Sequence, residues 1–367
     1  MATKKYDLIS KNNESTVVRE YSSPYKREKH YQSEDALEKA FIKQLEAQSY
    51  EYLNLTSEED LIRNLKKQIE KLNNYEFTDG EWDHFFKTEI ANPNSNIASK
   101  TEIIQESPTR LLSQDNGEKK NIRLIDKKNV HNNFLQVINQ YEAEKGKRKN
   151  RYDVTILVNG LPLIHVELKR RGVILQEAFN QINRYQRESF WESNGLFEYV
   201  QLFVISNGTY TKYYSNTTRF KHTSEKEKTK GKKSSDSFEF TNWWADFSNK
   251  PLSDLMDFSR TFFAKHTILN VLTKYCVFTF DKQLLVMRPY QIAATEKIID
   301  KINISSNYKK YGSVESGGYI WHTTGSGKTL TSFKTAQLAT KISNIKKVLF
   351  VVDRKDLDYQ TMKEYDK

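Results

Sequence analysis

Asp153, Glu167 and Lys169 are the residues of this sequence whose types and spacing point most directly to chemistry. They flank Asn159-Gly160, a strong signal for a hairpin turn. Glu167 and Lys169 stand two residues apart and so share one face of a strand. Two carboxylates on neighbouring strands repel each other unless a cation such as Mg²⁺ neutralises them. We therefore predict that Asp153 and Glu167 bind a metal ion and that Lys169 assists cleavage of a phosphodiester.

The register of this hairpin decides whether the two carboxylates meet. A two-residue loop would pair Val158 with Leu161 and place the carboxylates on opposite faces. A three-residue loop, with the glycine in a bulge, would pair Val158 with Pro162 and place them directly opposite each other. Only the second register gathers the even-numbered apolar residues on one face; these are Val154, Ile156, Val158, Pro162, Ile164, Val166 and Leu168. We predict the three-residue loop. Exposed surface charge is the alternative interpretation, because such a string of residues is common.

Two flanking helices are predicted to border this hairpin. Residues 175–191 have helical character, and Gln181 and Tyr185 share a face at the i, i+4 spacing, which ordinary helix packing also explains. An earlier helix begins near Ser33 with acidic residues in its first turn. His165 falls on the same strand face as the carboxylates, but a single histidine is more often structural, and we do not assign it as a ligand.

A second segment has the pattern of a phosphate-binding loop. A strand is predicted over 318–321 and a helix from Leu330, and the loop between them contains Thr324, Gly325, Ser326, Gly327, Lys328 and Thr329. Glycines let backbone N–H groups converge on phosphates, and the helix N-terminus adds positive potential. We predict that Lys328 contacts the β and γ phosphates of ATP and that the Thr329 hydroxyl ligates Mg²⁺.

Composition sets the broad class. The 367 residues suffice for two domains, and the net charge of +11 favours a polyanionic partner such as nucleic acid. Cys276 is the single cysteine, which excludes an intrachain disulfide and favours the cytoplasm. Its local sequence predicts a buried thiol. No window resembles a signal peptide or a membrane span, so we expect no membrane association.

The remaining pattern predicts how the chain is organised. We expect a loose arm over 1–32, a helix over 58–72, an irregular connection over 92–116, strands from residue 121, and a basic loop over 144–151 that leads into the strand 152–158. Strands over 200–214 enclose the turn signal Asn207-Gly208, and 216–237 is predicted to be a lysine-rich surface loop. An aromatic region after Phe238 and helices through Thr273 follow, and an apolar strand is expected over 347–352.

The first half of the chain resembles the PD-(D/E)xK nuclease superfamily. The resemblance rests on Asp153, on Glu167-Leu-Lys169 and on the helix segment Gln181-Ile-Asn-Arg-Tyr185 that follows. It implies that Gln181 and Tyr185 support the active site and the DNA backbone. It also implies an acidic residue from the first helix, for which Glu38 is the candidate by position, with Glu34 and Glu46 nearby.

The last part of the chain resembles superfamily 2 helicases. Arg288-Pro-Tyr290-Gln291 precedes the phosphate-binding loop as the short adenine-recognising motif of those proteins does. The resemblance implies that Gln291 recognises adenine and that Tyr290 or Arg288 stacks on it. His322, where the strict loop pattern has glycine, suits helicase-type loops. Residues 353–360 resemble the motif that touches the DNA backbone in the same helicases.

Together, the order of these motifs resembles the restriction (motor) subunit of type I restriction-modification enzymes. The resemblance implies an α/β chain with a flexible arm at 1–32, a PD-(D/E)xK domain of mixed sheet flanked by helices at 33–255, a helical linker at 256–285 and a partial RecA-like P-loop domain at 286–367. It implies Mg²⁺ and ATP as cofactors, double-stranded DNA as substrate, and partner subunits for methylation and specificity. Because no Walker B motif or second RecA-like lobe occurs in the sequence, we expect no useful ATP hydrolysis or translocation from these 367 residues alone.

Two other functions remain open at the level of sequence. One is a stand-alone helicase–nuclease of DNA repair, which would act without methyltransferase partners. The other is a non-catalytic DNA-binding or assembly module that retains the nuclease face as a remnant.

Overall fold

A computed structural model describes residues 15–18, 20–24, 32–143, 150–185, 195–217 and 241–351. The fold is mixed α/β, with one central sheet flanked by helices. Its helices are α1 (Glu34–Glu46), α2 (Glu58–Asn73), α3 (Asp79–Phe85), α4 (Ile97–Gln105), α5 (Leu175–Tyr185), α6 (Leu255–Phe262), α7 (Lys265–Thr273), α8 (Pro289–Asn307) and α9 (Lys328–Ala339). A π-helical turn, Phe86–Ile90, extends α3.

The central sheet has six strands in the order β1, β4, β5, β6, β7, β8. Their bounds are Glu51–Tyr52 (β1), Leu135–Ala143 (β4), Asn150–Val158 (β5), Leu161–Leu168 (β6), Leu202–Ser206 (β7) and Thr211–Ser215 (β8). The pairs β1–β4 and β6–β7 are parallel, and the other neighbours are antiparallel. Two separate hairpins pair β2 (Thr109–Ser113) with β3 (Lys119–Arg123) and β9 (Cys276–Phe278) with β10 (Leu284–Val286).

Helix α1 begins where the acidic first turn predicts. The Ser33 Oγ accepts a hydrogen bond from the Ala36 N–H at 3.2 Å, which satisfies one of the free donors of the first turn. Leu37, Phe41 and Leu45 are buried on the side that faces the sheet. Helix α2 likewise matches the predicted segment 58–72, and the thiol of Cys276 is buried as predicted.

The predicted irregular connection over 92–116 is wrong. This segment contains α4 and β2, the first strand of the β2–β3 hairpin. The Asn96 side chain caps α4 by accepting a hydrogen bond from the Ser99 N–H at 2.9 Å, and Ile104 is buried in the core. Asn96, one of the polar residues that suggested a loop, therefore serves as a helix cap, and the polar residues Lys100, Thr101 and Gln105 of α4 are buried.

The described part of the N-terminal segment is not a loose arm. The Thr16 N–H donates to the Glu296 carboxylate of α8 at 2.9 Å, and the Phe247 N–H donates to the Val18 carbonyl at 2.7 Å. Thr16 and Val17 are both buried. Hydrogen bonds to distant parts of the chain thus hold residues 15–18 in place. The polar local sequence does not predict these contacts.

Several other expectations meet the structure only in part. The turn at Asn207-Gly208 connects β7 and β8 as predicted, and the predicted helix over 175–191 is present as α5. Residues 144–149, 186–191 and 218–237 of the predicted segments lie outside the described residues. Helices α6 and α7 bury residues such as Phe258 and Leu269 in the same core as the sheet, and the division into domains stays a prediction. Within the described residues, no helix has the length and apolar content to cross a membrane.

The turn between β5 and β6 differs from the predicted three-residue loop. Val158 pairs with Leu161, so the loop is Asn159-Gly160 alone, with positive φ angles of 51° and 82°. Such a turn matches the twist of the strands. The Asn159 side chain also fixes it, because its Oδ1 accepts from the Phe134 N–H at 2.8 Å.

The extra residue instead sits inside β6. The pairing shifts between Ile156–Ile164 and Leu157–Pro162, which leaves Leu163 without a partner in a β-bulge. From Ile156 back to Val154, on the side of the bulge away from the turn, the register is therefore the predicted one, although the loop prediction is wrong. Val154 pairs with Val166, and one further step places Asp153 opposite Glu167.

Replacing Gly160 by alanine should destabilise the protein by about 2–4 kcal/mol, because a Cβ there adds left-handed strain and an overpacking clash. The added Cβ would lie 2.6 Å from the Leu65 Cα of α2. Gly117→Ala is the matched control, since its φ is also positive but nothing lies within 4 Å. Chemical denaturation of both variants measures the difference, and equal losses of unfolding free energy would contradict the close approach of α2 to the turn.

Candidate functional site

The two carboxylates predicted to act together do meet at the ends of β5 and β6. The Asp153 Oδ2 accepts a hydrogen bond from the Leu168 N–H at 2.8 Å, which fixes its side chain beside β6. Glu167 is fully buried. Burial raises the pKa of each carboxyl group to about 7, and the charge of Glu167 adds to the shift at Asp153. Without a metal ion, ionisation of this carboxyl pair is therefore energetically unfavourable.

Lys169 lies beside this pair. Its Nζ is 3.1 Å from the Glu167 Oε1, 2.9 Å from the Leu168 carbonyl oxygen and 3.6 Å from the Glu34 Oε1. Burial lowers the pKa of Lys169, but the carboxylates of Glu167 and Asp153 outweigh that effect and raise it. The ammonium group thus stays charged next to the carboxylate pair.

Helix α1 contributes Glu38 to the same region. Glu38 is buried, its Oε1 accepts from the Asn139 amide at 2.6 Å, and its Oε2 accepts from the Gln140 amide. Burial raises its pKa, the two amides lower it, and the nearby Asp153 raises it again. Of the three acidic residues considered in this helix, Glu38 is the one on the buried side near Asp153. Glu34 contacts Lys169, and Glu46 is exposed.

Asn139 and Gln140 were not among the predicted site residues. Asn139 pairs with Val154 and Tyr141 with Tyr152, so Gln140 stands opposite Asp153 without a ladder pair. Its φ is 52°, which a residue with a side chain rarely adopts within a strand. Its Oε1 is buried without a hydrogen-bond partner. Two adjacent amides in the middle of the strand were the available signal.

Helix α5 places Gln181 and Tyr185 behind β5. The Gln181 amide donates to the Tyr185 hydroxyl, which in turn donates to the Arg151 carbonyl oxygen at 2.8 Å. Burial and the charge of Glu167 raise the pKa of Tyr185. This pair is therefore bound to the strand that carries Asp153 and lies within electrostatic reach of both carboxylates.

His165 lies under the carboxylates rather than at the surface. Its Nε2 is 3.4 Å from the Glu167 Oε2, and its Nδ1 is 3.3 Å from the Thr155 hydroxyl. Burial lowers its pKa to about 4. A buried neutral imidazole in this position supports Glu167 from below, which agrees with the structural role expected for it.

The donor chemistry of this cluster fits a hard cation such as Mg²⁺. That ion typically binds through one or two carboxylates and keeps several water molecules. Asp153 and Glu167 supply the carboxylates, and the unpaired Gln140 Oε1 is a further oxygen in the same region. Across the described ranges, no three or more His, Cys, Asp or Glu side chains form a complete ligand set. Water or phosphate oxygens would therefore complete the coordination.

The predicted phosphate-binding loop lies at the N-terminus of α9, which begins at Lys328, two residues before the predicted start. Gly325 and Gly327 have positive φ angles of 76° and 79°. The Ser326 carbonyl oxygen accepts hydrogen bonds from the Tyr290 hydroxyl and from the Gln291 amide, each at 2.9 Å. The motif at the start of α8 thus contacts this loop directly.

Gln291 is held from two sides. Its Oε1 accepts a hydrogen bond from the Arg288 N–H at 2.8 Å, while its amide nitrogen holds the loop. A Cβ added at Gly327 would lie 2.2 Å from that nitrogen. The backbone angle therefore favours glycine at 327, and any larger residue would displace the Gln291 amide from the loop.

The two strands predicted around this loop are not formed. Residues 318–321 and 347–351 are neither helix nor strand, and both stretches lack a ladder partner among the residues that the structure describes. Their apolar side chains are exposed, with Trp321 at 88% and Leu349 at 86%. Apolar alternation predicts a strand only where neighbouring strands cover it. Residues 352–367, which include the predicted DNA-contact motif at 353–360, lie outside the described residues.

Comparison with protein families finds two matches in the same order as these sites. Residues 31–222 match the family described as type I restriction enzyme R protein N terminus. Residues 284–367 match the family described as type III restriction enzyme, res subunit. The first match covers the carboxylates, Lys169 and α5, and the second covers Gln291 and the glycine loop.

Individual relatives carry consistent names. The EcoprrI type I restriction enzyme endonuclease subunit of Escherichia coli is 46% identical over 298 residues, which is 81% of this chain and 91% of that protein. The SsaAORF53P type I endonuclease subunit of Staphylococcus saprophyticus is 38% identical over 343 residues, or 92% of this chain. The chain spans 33% of the length of that relative. By sequence, therefore, the chain belongs to the type I restriction enzyme R protein family.

Proposed function

We propose that this chain cleaves the phosphodiester backbone of double-stranded DNA with Mg²⁺ as cofactor, as the nuclease part of a type I restriction enzyme. The observation that carries the proposal is the placement of Asp153 opposite Glu167, with the Lys169 ammonium 3.1 Å from the Glu167 Oε1. The names of the relatives support the class of reaction. We propose the PD-(D/E)xK nuclease fold for this part of the chain.

In this proposal Asp153 and Glu167 hold the cation. When bound, Mg²⁺ polarises the scissile phosphate and lowers the pKa of a coordinated water. Lys169 keeps its proton and donates a hydrogen bond either to the attacking water or to a phosphate oxygen that gains charge. His165 keeps Glu167 oriented from beneath. The position of Glu38 suits an additional acidic group that binds through water.

Gln181 and Tyr185 act as positioning residues in the same scheme. Their hydrogen bonds tie α5 to the Arg151 carbonyl oxygen, two residues before Asp153. A DNA backbone bound at the carboxylates would lie next to α5. We propose that the pair fixes the strand end and contacts the backbone.

We further propose ATP as the ligand of the glycine loop, in a partial RecA-like P-loop domain. Lys328 and Thr329 would contact the phosphates and their Mg²⁺, and the residues Thr324, Gly325, Ser326 and Gly327 would supply backbone N–H groups. Arg288, Tyr290 and Gln291 would contact the adenine, because Tyr290 and Gln291 contact the loop at the Ser326 carbonyl oxygen and Arg288 donates to the Tyr290 hydroxyl. In a longer protein, ATP would drive translocation along DNA in the cytoplasm, and partner subunits would supply specificity and methylation.

Cleavage of supercoiled circular DNA by the purified chain tests the nuclease proposal. We expect nicked and linear products with MgCl₂ and none when a chelator removes the metal, because the buried carboxylates need a divalent cation to engage a phosphate. A product that forms equally well in chelator would exclude metal-dependent cleavage. Absence of any product with either Mg²⁺ or Mn²⁺ would favour the non-catalytic alternative.

The stability of the metal-free protein should fall as the pH rises. Asp153 and Glu167 have pKa values raised to about 7 in the folded state, so the folded protein binds more protons than the unfolded chain between about pH 4 and about pH 7. The unfolding free energy contributed by the pair is therefore lost across this window. Excess MgCl₂ should restore the melting temperature above the window and have little effect below it, where protons compete with the metal.

Thermal melts in chelator and in MgCl₂ across this pH range measure the effect. Asp153→Asn should make the melting temperature depend less on pH and should reduce its increase in MgCl₂. Glu142→Gln, at an exposed position of β4, is the matched control and should behave like the parent protein. A parent protein whose melting temperature is insensitive to MgCl₂ above the window would contradict a metal site at this pair.

A further inference from the structure

A cavity of about 790 Å³ lies away from both proposed sites. Residues of α4, the loop after β3, α7, β9, α8 and α9 line it. Its charged lining consists of five lysines and one carboxylate: Lys127, Lys128, Lys274, Lys334, Lys341 and Glu106. A cavity of this size suits a small-molecule ligand. The surplus of positive charge on its walls selects an anion.

Lys334 is the buried member of this set. It is 5% exposed, and its Nζ donates to the Cys276 carbonyl oxygen at 3.1 Å and to the Gln337 Oε1 at 2.7 Å. An ammonium group has three N–H donors. Neutral oxygens take two of them, and Glu106 of the same lining acts on the ammonium group electrostatically without a hydrogen bond to it among those of the described residues. An anion in the cavity could accept the remaining N–H.

Lys127 and Lys341 add to this charge from the neighbouring walls. The Lys127 Nζ donates to the Gln105 carbonyl oxygen at 2.5 Å, which is again a neutral acceptor. The pKa values of Lys127 and Lys334 are both lowered to about 8, mainly by burial; the charge of Glu106 raises both, and the charge of Lys341 lowers both. The positive charge of Lys341 is therefore close enough to repel those of Lys127 and Lys334. An anion with several charges would relieve that repulsion.

The cavity is distinct from the glycine loop. Lys334 follows Lys328 by six residues in α9, which corresponds to about 9 Å along the helix axis, away from the N-terminus. A duplex also fits poorly, because the space is of small-molecule size. A compact ligand with a short chain of phosphoryl groups matches both the volume and the spacing of charges.

We propose that this cavity binds a small anion that carries several phosphoryl groups, either an inorganic polyphosphate or the phosphate chain of a nucleotide. The proposal depends neither on the nuclease site nor on ATP at the glycine loop. It assigns a second anion site to the face where α8 and α9 meet the nuclease part of the chain.

Isothermal titration with sodium tripolyphosphate tests the proposal. The titrations use the full chain with Lys328→Ala, which removes the lysine of the glycine loop, and omit divalent metal. We expect saturable binding that the additional pair Lys127→Gln and Lys341→Gln weakens by about tenfold or more, because each lost charge–charge contact is worth about 1 kcal/mol or more in a partly buried site. Lys301→Gln with Lys346→Gln is the control of equal charge, since both lysines are exposed and lie outside the cavity lining. It should leave the affinity within about twofold, which is within about 0.4 kcal/mol.

Further measurements identify the source of the ligand and guard against misfolding. ATP that binds as tightly as tripolyphosphate, with no binding of adenosine, would place the phosphate chain in the cavity. Thermal melts without ligand should show that Lys127→Gln with Lys341→Gln is at least as stable as its parent, because repulsion is relieved. Absence of saturable tripolyphosphate binding, an equal loss in the control pair, or adenosine binding as tight as that of ATP would overturn the proposal.

Discussion

Asp153→Asn is expected to reduce Mg²⁺-dependent cleavage of DNA by about a thousandfold or more, because the metal loses one of its two carboxylate ligands while the fold is kept. The amide of asparagine can still accept the hydrogen bond from the Leu168 N–H. It cannot carry the negative charge that balances a cation. The same variant should lose the stabilisation by MgCl₂, which links the loss of activity to loss of the metal.

Lys169→Met separates binding of the metal from the chemistry. Methionine preserves much of the length and apolar surface of the lysine side chain but has no ammonium group beside the Glu167 Oε1. We expect a loss of cleavage of about a hundredfold or more with the response to MgCl₂ retained, since the two carboxylates remain. Glu142→Gln again serves as the matched control. Retained cleavage in either variant would exclude this cluster as the active site.

Gly327→Ala is expected to weaken ATP binding by about a hundredfold, because the new methyl group overlaps a buried amide and the backbone angle is unfavourable. The added Cβ would lie 2.2 Å from the Gln291 amide nitrogen, so Gln291 must release the Ser326 carbonyl oxygen. Gly325→Ala has a similar positive φ with nothing within 4 Å of the added atom. It should cost several-fold less in affinity. Fluorescence titration with a labelled ATP analogue measures both.

A double substitution tests the steric explanation. Gln291→Ala removes the group that the methyl would strike, so Gly327→Ala should cost less in that background than in the parent protein. Equal costs in the two backgrounds would show that backbone strain alone, and not the contact with Gln291, explains the effect of Gly327→Ala.

The meeting of Asp153 and Glu167 could be predicted from sequence, although the loop could not. Even-numbered apolar residues on both strands require one pairing through the buried part of the hairpin. A three-residue loop and a two-residue loop followed by a bulge at Leu163 give the same pairing there. The apolar pattern therefore fixes where the carboxylates lie and is silent on which residue is extra.

In the proposed nucleotide-binding region, a local contact agrees with the sequence, but the strands predicted around it are not formed. The contact of Tyr290 and Gln291 with the glycine loop agrees with the order of the two motifs in the sequence. This contact involves only two short segments, so the sequence of those segments is enough to suggest it. The strands predicted over 318–321 and 347–352 need a whole sheet around them. In the described part of the chain no such neighbours occur, and apolar residues such as Trp321 and Leu349 stay exposed. The local sequence pattern could not show whether neighbouring strands are present.

The left-handed backbone of Gln140 has a consequence for engineering this protein. Glycine would adopt a φ of 52° without the penalty of about 1–2 kcal/mol that a side chain incurs there, so selection for heat resistance alone would favour it. Glycine, however, has no amide to hold Glu38. Libraries enriched for thermal tolerance would thus be expected to lose a residue that supports the proposed active site, unless DNA cleavage is selected at the same time.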